Sequence, residues 1–402
     1  MNQMIDNQHV KKHKRNTFWS KFFIFMIIVI ALSFALASNL SNNPSILTSS
    51  NNPQPVVESD KTVKLTAIGD IMCHSTNFKA AYNSSAKSYN FMPVFEQIKD
   101  YTSAADLTIG NLETTLSGSA RGYSGYPTFN TPEILAQNLK DIGIDVVSTA
   151  NNHSLDKGFS GLESTIKELD KVGLEHTGTF TSKESQNTIL TKDVNGIKFA
   201  FLSFTYGTNG IPVPSGKDYC INLIDKNLIK EQISLAKQQN PDVICVNMHW
   251  GIEYKILQNA EQEDLANFLF ENGVDIILGS HPHVLQPMEK RTITLSDGSK
   301  KDGFVIYSLG NFMSGQNDSD PKNSIILNMQ ITKHSDGKIT IDSYDYIPIY
   351  MYNQNTSDSN KYKIIDIKSA IKLYESGDKK INATLYKTLQ GALTRIRKIM
   401  GE

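Results

Sequence analysis

From Thr62 onward, short β-branched runs alternate with stretches of helical periodicity. That alternation restricts the fold. A run of four to nine residues, an amphipathic helix and a further run is the pattern of parallel βαβ units in an α/β protein. Val63–Ile68, Asp106–Ile109, Val146–Thr149, Ile197–Phe204, Val243–Val246 and Val274–Leu278 read as strands. Helices are expected around Phe91–Tyr101, from Pro132 as an N1 proline, and at Gly158–Val172, Leu223–Gln239 and Glu261–Glu271. After His283 the texture changes. Thr292–Leu295, Phe304–Leu309, Ile325–Ile331 and Ile339–Ile349 read as antiparallel strands, with a turn at Asp297-Gly298 and a hairpin signal at Asp336-Gly337. The sheet is mixed, or there are two sheets. Lys361–Met400 reads as helical, with Leu385, Leu389, Leu393, Ile396 and Met400 on one face. The face suits a helix capping the core, with partner binding as the alternative.

Polar residues gather where the strands end. The first strand leads into Gly69-Asp70 with His74 behind it, and the second into Gly110-Asn111-Leu112-Glu113. The third leads into Asn151-Asn152-His153, and later ones into His249-Trp250-Gly251, Gly279-Ser280-His281-Pro282-His283 and Ser308-Leu309-Gly310-Asn311-Phe312. Carboxyl ends of strands in an open α/β sheet meet at one crevice, where ligands bind. Of nine histidines, His74, His153, His249, His281 and His283 all follow strands, whereas His176 and His334 do not. Imidazole, carboxylate and amide oxygen together suit a divalent metal such as Mn, Fe or Zn, and a bridging carboxylate allows two ions. Taken singly, each element also has a plain structural reading. A histidine after a strand is commonly a satisfied rim residue. Asn151-Asn152 reads equally as a turn, and Trp250 as a packed aromatic. Gly110 and Gly279 are either turn residues or places where a ligand approaches the backbone. His281-Pro282-His283, if extended, aims two imidazoles the same way.

The amino terminus addresses the chain to a membrane. Phe22–Ala37 is apolar except for Ser33, and the run extends to Leu40. A span needs about 20 apolar residues, with ~17 tolerated. The chain has a formal net charge of −1, but residues 1–21 carry +4 and the remainder −5. The basic flank is expected to stay inside and the body to cross. The segment is a retained single-pass anchor, or a signal peptide cleaved near Ala35-Leu36-Ala37. Both place the body outside the cytoplasm. Composition excludes other classes. Near-neutrality speaks against a nucleic-acid binder, and the three cysteines are too few for a disulfide scaffold.

In order and spacing, Gly69-Asp70, Gly110-Asn111-Leu112-Glu113, Asn151-Asn152-His153, His249-Trp250-Gly251, Gly279–Val284 and Ser308–Phe312 resemble the bacterial capsule-synthesis CapA family, the PgsA-type proteins of poly-γ-glutamate synthesis. The resemblance spans about Lys64–Tyr350. That family resembles the calcineurin-like metallophosphoesterases, so it implies an αββα sandwich of two mixed sheets flanked by helices. Carried over by motif, it implies that Asp70 and His283 hold one metal and that Glu113 bridges. Asn152, His249 and His281 then hold the second, and His153 is the acid that protonates a leaving oxygen. His74, Asn111, Trp250 and Asn311 are further candidates. This sequence departs from the phosphoesterase pattern twice. Met72 stands where an Asp-x-His motif has its histidine, and Glu113 replaces an aspartate.

The organisation that follows is a basic cytoplasmic tail (1–21), a membrane segment (22–40), a disordered linker rich in Ser, Asn and Pro (41–60), the CapA-like domain (61–350) and a helical extension (351–402). The resemblance implies a membrane-anchored capsule-biosynthesis protein using one or two divalent ions in a hydrolase site. Its implied partners are membrane-bound synthase or export subunits and poly-γ-glutamate or a related anionic polymer. Two alternatives stand beside it: a non-enzymatic polymer-binding or assembly subunit on the same fold, and a secreted phosphoesterase.

Overall fold

The structure is a computed structural model that describes residues 59–294, 298–353 and 361–402. In chain order its strands are β1 (Lys61–Ile71), β2 (Tyr82–Asn83), β3 (Ser88–Tyr89), β4 (Leu107–Leu112), β5 (Val146–Ser148), β6 (Glu175–Thr177), β7 (Leu190–Val194) and β8 (Ile197–Thr205). They continue with β9 (Val243–His249), β10 (Ile276–Ser280), β11 (Met288–Thr294), β12 (Lys300–Ile306), β13 (Asn311–Met313), β14 (Asn323–Lys333), β15 (Ile339–Asn353) and β16 (Tyr362–Asp366). One sheet of eight strands runs β16-β15-β14-β1-β4-β5-β6, with β13 beside β1, and a second of six runs β11-β12-β10-β9-β8-β7. Both are mixed. Strands β1-β4-β5-β6 and β8-β9-β10-β12 are parallel, and β14, β15, β16, β7 and β11 are antiparallel additions.

The apolar faces explain the layering. Val63, Leu65, Ala67 and Ile109 of the first sheet meet Phe199, Phe201, Cys245, Ile276 and Phe304 of the second in one buried layer. The outer face of the first sheet is covered by helices α1 (Ser75–Ala81), α2 (Met92–Phe95), α3 (Lys99–Ser103), α4 (Ile134–Asp141) and α5 (Gly158–Val172). Past the short α6 (Lys183–Asn187), α7 (Lys226–Gln238) and α8 (Ala260–Glu271) cover the second sheet. The carboxy-terminal α9 (Ile367–Glu375) and α10 (Ala383–Met400) send Ile367, Leu385, Leu389 and Ile396 into the layer between the sheets.

One device recurs at the amino ends of the parallel strands. Asp106, Asp145, Asp242 and Asp275 each stand one residue before a strand. Each carboxylate accepts a backbone N–H from the neighbouring strand, at Lys64, Thr108, Lys198 and Ile244, over 2.7–2.9 Å. The same aspartates return their own N–H to those residues' carbonyls. Each lock fixes register where a parallel ladder would otherwise leave a donor unpaired. These four aspartates are committed to the fold at the end opposite the polar strand ends.

Several expectations are corrected. The helix expected over Phe91–Tyr101 is broken into α2 and α3, because the chain bends at Glu96–Ile98 so that Phe91, Phe95 and Ile98 are all fully buried. The helix after Pro132 starts at Ile134; Pro132 precedes it and its carbonyl accepts the Leu135 N–H. The carboxy-terminal stretch does not open as helix. Tyr362–Asp366 pairs with β15, as β-branched Ile364 and Ile365 favour, and Asp366 then caps α9. β12 is antiparallel to β11 but parallel to β10. The apolar run 22–40, its basic flank and the linker up to residue 58 lie outside the described residues, as does Asp297. Among the described residues no helix is long and apolar enough to cross a membrane.

Candidate metal centre

Asp70 enters the site through an irregularity. The pairing of β1 with β4 shifts between Ala67 and Asp70, which sets Asp70 opposite Asn111. Asp70 is fully buried. Its Oδ1 accepts the Asn111 amide at 2.8 Å, and its Oδ2 accepts the His281 backbone N–H at 3.2 Å. The same oxygen lies 3.3 Å from His283 Nδ1. One carboxylate thus ties the end of β1 to the segment after β10.

Glu113 follows β4 and is fully buried. Neither carboxylate oxygen has a hydrogen-bond donor among the described residues. His249 Nε2 lies 3.6 Å and His283 Nε2 3.9 Å from its Oε1. Burial, and then the nearby Asp70, push the Glu113 carboxyl well above the usual carboxylate range. His249 closes β9. Its Nδ1 is 3.3 Å from the Asn111 amide and its Nε2 2.9 Å from Asn152 Oδ1. Burial, and then its imidazole neighbours, hold His249 well below the usual histidine range and His281 at about 3. Burial disfavours the charged form of each of these groups, yet they stand together in one cluster.

That combination fits a divalent cation. A buried carboxylate with both oxygens unpaired costs free energy in a plain core. Neutral imidazoles and carboxylates are the donors a borderline metal takes. Donor atoms of Glu113, His249 and His281 lie within 4.8 Å of one another, and so do those of Asp70, Glu113 and His283. The two groups share Glu113.

His153 lies beside this cluster rather than in it. Its Nδ1 is 2.7 Å from Asp156 Oδ2, and its Nε2 is 3.5 Å from the Asn209 amide. Phe129 meets the His153 ring edge-on at a centroid distance of 4.6 Å. Asn209 also accepts the Asn152 amide at 3.1 Å, which turns Asn152 Oδ1 toward His249.

The other named candidates have separate places. His74 caps α1, accepts the Gly315 N–H at 3.1 Å, and is separated from His153 by Phe129. Asn311 is in register with Asp70 and binds the loop to Pro321 through its amide. Trp250 points into the core, where its indole N–H donates to the Tyr307 carbonyl at 2.9 Å. His281 and His283 converge on the site, but not by extension. Both have left-handed backbone, with φ of 97° and 60°. Gly110 and Gly279 sit inside strands, and the close approach they allow is to protein. A Cβ on Gly279 would lie 2.0 Å from the Tyr307 carbonyl oxygen, and one on Gly110 would lie 2.9 Å from Ile68.

Four residues escaped the sequence reading. Asp156, three after His153, had only local spacing as a signal. Tyr206 and Asn209 follow β8, a strand whose end carries no histidine. The Tyr206 ring lies 4.4 Å from that of His281 and stacks on His249. Glu253 brings a donor atom within 4.8 Å of those of His281 and His283.

Comparison with known proteins agrees with this arrangement of motifs. The family described as "Bacterial capsule synthesis protein PGA_cap" matches residues 64–316. "Capsule biosynthesis protein CapA" of Bacillus anthracis is 30% identical over 275 residues, covering 67% of this chain and 64% of that protein. "PGA biosynthesis protein CapA" of Bacillus subtilis (strain 168) is 28% identical over 334 residues, covering 80% of each. Among solved structures, the calcineurin-like phosphoesterase YfkN of Bacillus subtilis superposes with a TM-score of 0.41 at 15% identity, covering 85% of this chain and all of that one.

Proposed function

The chain belongs to the bacterial capsule synthesis protein PGA_cap family, and from that premise we propose that it serves poly-γ-glutamate capsule synthesis through a metal-dependent hydrolase site. The observation that carries the chemistry is Glu113, fully buried with both oxygens unpaired and facing imidazoles. The capsule role rests on the relatives named above. The body works outside the cytoplasm, held at the membrane by residues 22–40, beside membrane-bound synthase or export subunits and the anionic polymer they make.

In this reading Asp70, Glu113 and His283 hold one ion, and Glu113, His249, His281 and Asn152 the other, with Mn, Fe or Zn as the cation. A bound divalent ion supplies Lewis acidity, polarising the scissile bond and making a water more acidic. The chain's own residues do the rest. Asn111 holds Asp70 and His249 in place. Asp156 fixes His153 with Nδ1 as the donor, which leaves Nε2 to carry the proton a leaving oxygen needs. Phe129 packs edge-on against His153, and Tyr206 lies against the His281 and His249 rings.

A second reading, an assembly subunit without catalysis, is favoured by Met72. This buried residue stands where the Asp-x-His motif of the resembled phosphoesterases has its histidine. Replacing the gene in its host with Glu113→Gln or His153→Ala decides between them. The hydrolase reading expects cell-bound polymer to fall with the protein level unchanged. Normal polymer from both variants would favour the assembly role.

A further inference from the structure

Glu253 belongs to none of the motifs that carry the family resemblance. We infer that it is a metal ligand of this centre, closing the outer side of His281 and His283. The inference rests on reading the cluster as a metal centre.

Three independent features bring Glu253 there. The first is position. A carboxylate oxygen of Glu253 and ring nitrogens of His281 and His283 all lie within 4.8 Å of one another. The second is an unmet need. His281 is only 4% exposed, and its Nδ1 has no hydrogen-bond partner among the described residues. Both histidines hold left-handed backbone, at φ 97° and 60°. Such strain persists only where surrounding structure enforces it, and it gathers at functional sites.

The third is a latch. Trp250 is buried in the second sheet's core and donates its backbone N–H to Ser280. Gly251 then turns the chain at φ 85°, where a Cβ would lie 2.8 Å from the Gln262 side chain. Three residues later the Tyr254 N–H donates to the Pro282 carbonyl at 2.8 Å. Pro282 lies between the two histidines, so the turn bearing Glu253 is pinned to the segment bearing them. Gln286 holds the far side through the carbonyls of Lys255 and Leu257, at 2.9 and 3.1 Å. The Tyr254 hydroxyl accepts the Gln316 amide at 3.1 Å.

Charge makes the same demand. Two divalent ions bring four positive charges, against which Asp70 and Glu113 supply two. Buried charge is costly unless paired, so a third carboxylate lowers that cost. Glu253 is exposed whereas Asp70, Glu113, His249, His281 and His283 are buried. The ion it touches is therefore the more exchangeable one, entering over Glu253.

The test uses the full chain in detergent, stripped by chelator and titrated with Mn²⁺ by calorimetry, with electron paramagnetic resonance of the free ion as a second readout. Wild type is expected to bind two ions. Glu253→Gln should lose the weaker one, or bind it at least about tenfold less tightly, and Glu253→Asp should recover part of that loss. An unchanged melting temperature without metal shows that the variants fold. Two ions bound with unchanged affinities in Glu253→Gln would overturn this assignment alone. No binding by wild type would overturn both the assignment and the metal-centre reading.

Discussion

The Nδ1 of His153 lies 2.7 Å from Oδ2 of Asp156, and the two side chains are 4% and 0% exposed. The same carboxylate oxygen accepts the Phe129 N–H at 2.6 Å. One buried group thus orients both the proton donor and the aromatic wall beside it. Asp156→Asn is expected to lower turnover about 10²-fold on esters with a poor leaving group. The loss should be much smaller on a nitrophenyl ester, whose leaving oxygen needs no proton. Steady-state kinetics on both substrates check this, and equal losses would remove His153 from the acid's role.

Glu113 sets an opposition between metal-free and metal-loaded stability. Without a cation its carboxyl is buried and unpaired. Glu113→Gln should therefore leave the chelated protein's melting temperature unchanged or raise it. Wild type at a metal concentration near 100 times Kd gains about 2.7 kcal/mol by mass action, a rise of roughly 4 °C for a domain this large. The variant should show little of that rise. Thermal scans with and without Mn²⁺ read the difference directly.

Acid should weaken the metal-free protein through His74. Burial, and then the charges of His283 and His153, push this imidazole down to about 4. The folded state keeps it neutral while the unfolded state, at its ordinary value of ~6.5, takes up a proton. Between about pH 6.5 and 4 the unfolded chain binds more protons, so stability falls as pH falls. Below about 4 both states are protonated and the slope from this group ends. His74→Asn should flatten the decline by the share of one proton. Denaturation midpoints between pH 7 and 4 measure it.

The strand-start aspartates predict a loss of stability with no loss of metal. Asp145 accepts the Thr108 N–H at 2.9 Å, and Thr108 is fully buried. Asp145→Ala leaves that donor unpaired, at a cost of about 1–3 kcal/mol. Asp145→Asn retains an acceptor and should recover most of it. Urea denaturation of the three proteins, alongside their Mn²⁺ affinity, separates fold from site.

The sequence carried the alternation of strands and helices because parallel strands buried on both faces read as apolar runs. Gly158–Val172 was legible to the residue: its apolar face repeats along the helix and Gly173 ends it in left-handed conformation. The break at Glu96–Ile98 was hidden because its apolar residues also fit one helix. Tyr362–Asp366 was hidden because its five residues run straight into the helix that Asp366 caps, so no break separates the two patterns. In the site, the strand-end histidines were visible and their geometry was not. Alternation implied that His281 and His283 reach one side by extension, whereas backbone strain brings them there. Glu253 lies four residues from His249, and only the latch between Tyr254 and Pro282 reveals where that carboxylate goes.

The most direct test of the metal centre is elemental analysis of the purified full chain after chelation, reloading with Mn²⁺, Fe²⁺ or Zn²⁺, and dialysis, with Glu113→Gln treated in parallel. Two ions per chain in wild type, or one where dialysis removes the weaker, and a clear loss in Glu113→Gln, is the expected result. Wild type retaining no more of any of these metals than the variant would contradict the assignment of Asp70, Glu113, His249, His281 and His283 as metal ligands.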